Sequence, residues 1–509
     1  MSGSGEAEVR PAVAAHVPEQ PVAPYLDAVV EYAFRGAARY HVPGHKGGPG
    51  ADPGVAKAIG LDALAADVPQ LIHGIDLGPS PTPYERAEAM AAEAFGAART
   101  WFLTNGATQG NHALCLALAP LGASVVVQRN SHSSLVDGLV LSGGLPRFVM
   151  PEYDDELGIT HCVIPETLEA ALRATPEARA AFLVSPTYYG MAADVAGLAE
   201  VAHTAGVPLV VDQSWGPHFG FHEALPPTAL DQGADAMLTS THKIAGSLTQ
   251  SAMLHVSLSG RIDPEDVARV LRLLRSTSPS SLLLASLDGA RRQLALHGEQ
   301  LLHEVLEAIT VARAKLETIA GIRLVDASLV GRSGIAGYDP MRIVIDVRGT
   351  GCTGYEVADA LRRSYDVHVE LPTQATIVLI VGLADTAKAL RRLAGDIEET
   401  VKRIAKPGRT AAIVGSAKML VGEMAVSPRE AFLGDAEVVP VGGAPGRISC
   451  ESIASYPPGV PQLLPGERIT TETVALLSRL AETGARLHGA SDPRFRTINV
   501  LREAMSGSD

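Results

Sequence analysis

Between about residue 76 and residue 320 the chain repeats one pattern: a short apolar run, a loop, and then a stretch whose apolar positions recur at helical spacing. The runs are Thr100–Leu103, Ser124–Gln128, Ala180–Val184, Val207–Val211 and Ala234–Leu238, and Gly110–Ala119 is a helical stretch following the first. Short continuous apolar runs suit strands covered on both faces. Their alternation with helices predicts an α/β fold with a mostly parallel, doubly wound sheet.

A smaller α/β region is expected at about 321–400. Arg342–Val347 and Thr376–Val381 read as strands, and Thr353-Gly354-Tyr355-Glu356 has the form of a capping box opening a helix over Val357–Tyr365. Residues 1–22 are small, polar and Pro-bearing, as a flexible tail would be. The predicted division is therefore a tail (1–22), an N-terminal arm (23–75), a large domain (76–320), a small domain (321–400) and a C-terminal domain (401–509). In the last of these, Tyr456-Pro457-Pro458-Gly459-Val460-Pro461 must be a loop, because neither a helix nor a central strand accepts that many prolines.

Composition narrows the function. With 509 residues and 46% hydrophobic content the chain is long enough for several domains. A net charge of −14 argues against nucleic-acid and anionic-membrane partners and leaves a small molecule as the expected ligand. Cys115, Cys162, Cys352 and Cys450 are scattered without a CxxC pair, so neither a disulfide framework nor a zinc site is expected. His218 and His222 are spaced i, i+4 but lack a supporting carboxylate pattern, and no metal is expected. The N-terminus lacks the form of a signal peptide and no apolar run reaches spanning length, which points to the cytoplasm.

The candidate chemistry collects where apolar runs end. Asp212 closes Val207–Val211, and Lys243 follows Ala234–Leu238 within Ser240-Thr241-His242-Lys243. The C-terminal ends of parallel strands are where open α/β sheets bind ligands. Taken alone, Asp212 reads equally as a helix cap. Together, the lysine and the aspartate are the pair that pyridoxal phosphate (PLP) requires, one to form a Schiff base and one to keep the pyridine nitrogen protonated. A buried lysine loses solvation and its pKa falls, so a neutral amine is available for attack. Ser240 and His242 offer donors to a phosphate.

Thr104-Asn105-Gly106-Ala107-Thr108-Gln109-Gly110 is either an ordinary strand-to-helix turn or an anion cradle built from free N–H groups and the Thr108 hydroxyl. His132, just past Ser124–Gln128, is placed to stack on a planar cofactor or to cap a helix. Trp215 either fills core space or lies against the cofactor. His41 and His45 sit in a Gly/Pro loop that is a connector or an arm reaching a site.

Read together, these elements resemble the Orn/Lys/Arg decarboxylase family from about residue 24 to about residue 470. The resemblance rests on His41-Val42-Pro43-Gly44-His45-Lys46-Gly47, Asn105-Gly106-Ala107-Thr108, Arg129-Asn130-Ser131-His132, Pro186-Thr187-Tyr188-Tyr189-Gly190, Val211-Asp212, Ser240-Thr241-His242-Lys243, Gln250–His255 and Tyr456–Pro461. It implies PLP fold type I in the compact form without an N-terminal wing domain. It further implies that Lys243 carries the cofactor, Asp212 pairs with the ring nitrogen and His132 stacks on the ring. Ala107, Thr108, Ser240 and His242 would line the phosphate, with Trp215 among the cofactor contacts. A homodimer or larger assembly, with sites at the subunit interface, is implied as well. Compact relatives often read Asp-Glu-Ala-His-Gly where this chain has Asp212-Gln213-Ser214-Trp215-Gly216, and a lysine is frequent where Ser133 stands.

The implied reaction is loss of CO2 from arginine, lysine or ornithine, with Lys243 or His242 returning a proton to Cα. Glu451 and Asp76 are candidate partners for the substrate's distal cation, and His41 and His45 are candidate substrate contacts. Two alternatives stay open: transamination or oxidative deamination on the same fold, with Arg342 as a carboxylate clamp, and a non-catalytic PLP-binding homologue.

Overall fold

The computed structural model describes residues 20–409, 421–456, 460–482 and 486–502. The tail expected over 1–22 lies outside them up to residue 19, and residues 457–459 of the Pro-rich loop lie outside them too. Helix α1 (Pro24–Phe34) opens the N-terminal arm. The large sheet contains β1 (Arg99–Leu103), β2 (Ser124–Gln128), β3 (Leu145–Val149), β4 (Ala181–Val184), β5 (Leu209–Asp212), β6 (Ala236–Thr239) and β7 (Ala252–Val256), in the order β1-β7-β6-β5-β4-β2-β3. Strands β2 to β6 pair in parallel, whereas β7 runs antiparallel to both neighbours, β1 and β6. The sheet is thus α/β and mostly parallel, as expected. The antiparallel β7 corresponds to Gln250–His255, which the sequence offered only as a motif. The connection from β6 holds a single 3₁₀ turn and no crossover helix, and β7 returns antiparallel.

Alternation within each strand explains why both faces are apolar. Val126, Ala181, Leu183, Leu209 and Val211 pack into one core cluster, while Val125, Val127, Phe182, Val210 and Leu238 pack into another. Successive side chains point to opposite faces, so a run buried on both sides has to be apolar throughout. Helix α2 (Gly106–Leu118) follows β1, and α3 (Ser133–Ser142) follows β2.

A single helix, α4 (Ser281–Glu317, 37 residues), serves two cores. Leu284, Leu287 and Leu294 join the large-domain cluster, and Leu302, Val305, Ile309 and Leu316 join the cluster beneath the small sheet. That sheet is β8 (Arg323–Val325), β9 (Arg342–Asp346), β10 (Leu371–Pro372) and β11 (Thr376–Ile380), antiparallel in the order β8-β9-β11-β10. Helices α5 (Gly354–Tyr365) and α6 (Ala387–Ile404) flank it. The capping box at α5 forms: Thr353 accepts from Glu356 N while the Glu356 side chain accepts from Thr353 N. In the C-terminal region, β12 (Ala436–Pro440) pairs with β16 (Thr497–Leu501), and β13 (Ile453–Tyr456) pairs with β14 (Pro461–Leu463) and β15 (Arg486–His488).

The N-terminal arm is fastened to α4 by a fully buried ion pair. Asp288 accepts from Tyr25 N at 2.9 Å and from Arg291 at 2.5 Å, and Arg291 donates to the carbonyls of Gln20 and Val22. Asp288→Ala leaves the Arg291 guanidinium buried without its counter-charge and is expected to destabilise the fold by about 3–5 kcal/mol. Chemical denaturation, combined with limited proteolysis of the arm, measures this.

Candidate active site

Four strand-to-loop junctions converge on one edge of the large sheet. After β1 come Gly106, Ala107 and Thr108; after β2, Asn130 and His132; β5 ends in Asp212 and leads to Ser214 and Trp215; after β6 come Ser240, His242 and Lys243. All of them line one cavity of about 410 Å³. This volume lies within the usual range for small-molecule pockets, about 300–1,000 Å³.

Local sequence accounts for each placement. Gly106 has φ +67°, which glycine adopts without strain, and its N–H is held by Gln250 O at 2.7 Å. No side chain caps α2, so the next N–H groups of its first turn, those of Ala107 and Thr108, remain available to an anion. Lys243 ends a single 3₁₀ turn, Thr241–Lys243, that directly follows β6 and Ser240.

Asp212 is oriented from two sides. Its Oδ1 accepts from Ser214 N at 3.0 Å and its Oδ2 from Asn111 Nδ2 at 3.2 Å. The same Asn111 nitrogen donates to Ser134 Oγ at 3.0 Å, and Ser134 Oγ lies 2.9 Å from His132 Nδ1. The Ser134 backbone N–H also points at His132 Nδ1, at 3.2 Å. That nitrogen is therefore an acceptor, and the neutral ring carries its proton on Nε2. Burial lowers the His132 pKa, the neighbouring Asp212 charge opposes this, and Lys243 and His488 reinforce it. His132 caps α3, one of its two readings, and it also lines the cavity.

Lys243 Nζ lies 3.5 Å from the centroid of the Trp215 ring. Burial brings its pKa down to about 8, the Asp212 charge working against this and the Arg342 charge with it. Trp215 carries a second cation, with Arg342 Cζ 4.7 Å from its centroid, and Tyr188 meets it edge-on at 4.6 Å. Arg342 is fully buried and lies outside the cavity lining: it donates to Trp215 O at 2.7 Å and pairs with Asp339 at 3.4 Å. His218 is fully buried against the same Asp339. Among the described residues no group of three or more His, Cys, Asp or Glu side chains is arranged to hold a metal ion.

The four candidate substrate contacts, Glu451, Asp76, His41 and His45, are not among the residues lining the cavity. Glu451 is buried in the C-terminal region, accepting from Asn499 N at 2.9 Å, Asn499 Nδ2 at 2.7 Å and Ser491 Oγ at 2.5 Å, so its carboxylate is already occupied. Asp76 sits beside Tyr25 and Arg275, its pKa raised to about 6 by burial. His41 contacts Tyr32 OH, and His45 pairs with Asp67 at 3.0 Å. Sequence reading missed Asn111 and Ser134. No sequence signal singles out Asn111, which is 3% exposed and shares its helix with Thr108, Gln109 and His112.

It also missed how the C-terminal region joins the site. Val460 and Gln462 complete the cavity wall. Arg129, three residues before His132, donates to Pro461 O at 2.8 Å and to Glu467 at 3.2 Å, and both charged side chains are 1% exposed.

The major-domain model of the Orn/Lys/Arg decarboxylases matches residues 23–389, and the model of their C-terminal domain matches residues 415–492. The chain belongs to the Orn/Lys/Arg decarboxylase family. An arginine decarboxylase of Bacillus subtilis is 36% identical over 480 residues, covering 94% of this chain and 98% of that protein. An arginine decarboxylase of Halalkalibacterium halodurans is 36% identical over 484 residues, with the same two coverages. The solved structure of lysine decarboxylase A from Pseudomonas aeruginosa superposes with a TM-score of 0.78 at 22% identity, covering 94% of this chain and 80% of that one. The fold is that of the fold type I PLP enzymes, as the motifs implied.

Two measurements probe this geometry. In cofactor-free protein, Lys243 should react with an amine-directed reagent along a titration near pH 8, and Asp212→Asn should move the midpoint lower by removing the charge that supports the ammonium. Peptide mapping across pH reads this. Arg129→Met strands the Glu467 carboxylate and is expected to cost about 3–5 kcal/mol, seen as earlier loss of the C-terminal region in denaturant.

Proposed function

We propose that this chain decarboxylates a basic amino acid, with PLP held on Lys243. One observation carries the reading: a buried lysine whose amine is easily neutral and an aspartate oriented by two donors share one cavity at the C-terminal edge of a parallel sheet. When bound, PLP accepts the electron pair left on Cα as CO2 departs. Asp212 holds a proton at the ring nitrogen, which Asn111 and Ser214 make possible by fixing the carboxylate. His132 offers a neutral flat face and a proton at Nε2. The first-turn N–H groups of α2, the Thr108 hydroxyl and Ser240 with His242 receive the phosphate. Ser214 Oγ, buried at the cavity wall without a partner among the described residues, is a further donor suited to a polar ligand. His242 or Lys243 returns the proton to Cα.

The arginine decarboxylases at 36% identity favour arginine over lysine and ornithine as the substrate. Transamination is disfavoured because its candidate clamp, Arg342, is fully buried and engaged by Trp215 O and Asp339. A non-catalytic homologue would not require Lys243 and Asp212 to face one cavity. The N-terminal arm leaves Tyr40 97% and Leu71 71% exposed, which supports burial against a second copy in a homodimer or larger assembly. Among the described residues no helix is long and apolar enough to cross a membrane, and the four cysteines are free and buried, in keeping with a reducing cytoplasm.

Arginine, lysine and ornithine are to be supplied with added PLP, and CO2 and keto acid measured separately. CO2 with a stoichiometric amine is the expected result; keto acid in its place overturns the reading. Lys243→Ala should lower turnover at least about a thousandfold with the fold retained, and Asp212→Ala should lose most of the rate.

A further inference from the structure

A basic substrate brings a cation to the far end of the cavity, yet Asp212 is the only carboxylate among the described lining residues, and Asn111 and Ser214 already engage it. A neutral acceptor can take the cation's N–H groups if it is fixed in place and not already in use. Asn130 is in use at both ends: its Oδ1 accepts from Gln128 at 2.6 Å and its Nδ2 donates to Thr160 at 3.0 Å. Asn111 is spent at Asp212, the end of the cavity assigned to the cofactor ring.

Gln462 differs from both. Its Nε2 donates back to Val460 O at 3.3 Å, which sets the plane of the amide, and its Oε1 accepts from none of the described residues. The segment that carries it is clamped. Arg129 donates to Pro461 O at 2.8 Å, immediately before Gln462, and Glu467, paired with Arg129, accepts from Leu464 N at 3.0 Å, two residues after it. Both charged side chains are 1% exposed. The wall is therefore held to the same loop that carries His132, and it does not drift with the C-terminal region.

We propose that Gln462 is a specificity-determining residue whose carboxamide oxygen accepts a hydrogen bond from the guanidinium or ammonium end of the substrate. This rests on the decarboxylase reading above and adds to it where the side chain is recognised. Such a contact exists in ground and transition states alike, so its loss raises KM more than it lowers kcat.

The test is steady-state CO2 release by full-length, PLP-loaded enzyme with arginine, lysine and ornithine. Gln462→Leu should raise KM for the preferred substrate about tenfold, as expected for one hydrogen bond to a charged group, with kcat little changed. Gln462→Glu should hold KM at or below the wild-type value, because it supplies an acceptor with a charge. If wild-type enzyme decarboxylates but Gln462→Leu keeps KM within about twofold, the inference falls and the decarboxylase reading stands. If Gln462→Leu fails to load cofactor, Gln462→Glu decides: a raised KM overturns the proposal and a lowered one supports it. Wild-type enzyme that releases CO2 from none of the three substrates sinks both.

Discussion

The site depends on one side-chain amide. Asn111 has two N–H groups to give, and it gives one to Asp212 and the other to Ser134, which in turn meets His132. A carboxylate facing a cavity needs donors to fix its orientation, and an imidazole there needs a donor or acceptor assignment that fixes its tautomer. One residue in α2 settles both, and it does so across three strand junctions that are distant in sequence. Because α2 also presents its first turn to the cavity, its seating on the sheet sets the phosphate end and the ring end together.

Trp215 shows a second constraint. Lys243 Nζ and Arg342 Cζ both lie within 5 Å of its ring centroid, at 3.5 and 4.7 Å, and Tyr188 meets it edge-on. Two cations sharing one aromatic ring would repel each other strongly if both were charged in a dry interior. Arg342 stays charged because Asp339 neutralises it. Lys243 is the member that can give up its proton, since burial lowers its pKa to about 8. The lysine's charge is thus set first by burial, with the Asp212 charge opposing the fall in its pKa and the Arg342 charge adding to it.

Much of this was legible in the chain itself. Apolar runs buried on both faces announce themselves by continuity, and β2, β4, β5 and β6 fall within a residue or two of the runs that marked them. Lys243 and Asp212 could be read because strand ends are where such chemistry belongs. β7 was not read as a strand, since no helical stretch precedes it to continue the alternation that marked the others. Glu451 looked available only because a carboxylate's partners do not show in sequence: Ser491 and Asn499 are some forty or more positions away. Arg129 and Glu467 were invisible for the same reason, their separation of 338 positions being bridged only by tertiary packing.

The 37-residue helix α4 has a mechanical corollary. Its first half is embedded in one core and its second half in another, over a length of about 55 Å. The two sheets thus share a rigid spine and lack a pliable joint at that boundary. Any movement of one sheet relative to the other must bend that rod or slide a packed face along it, and both cost far more than turning about a loop.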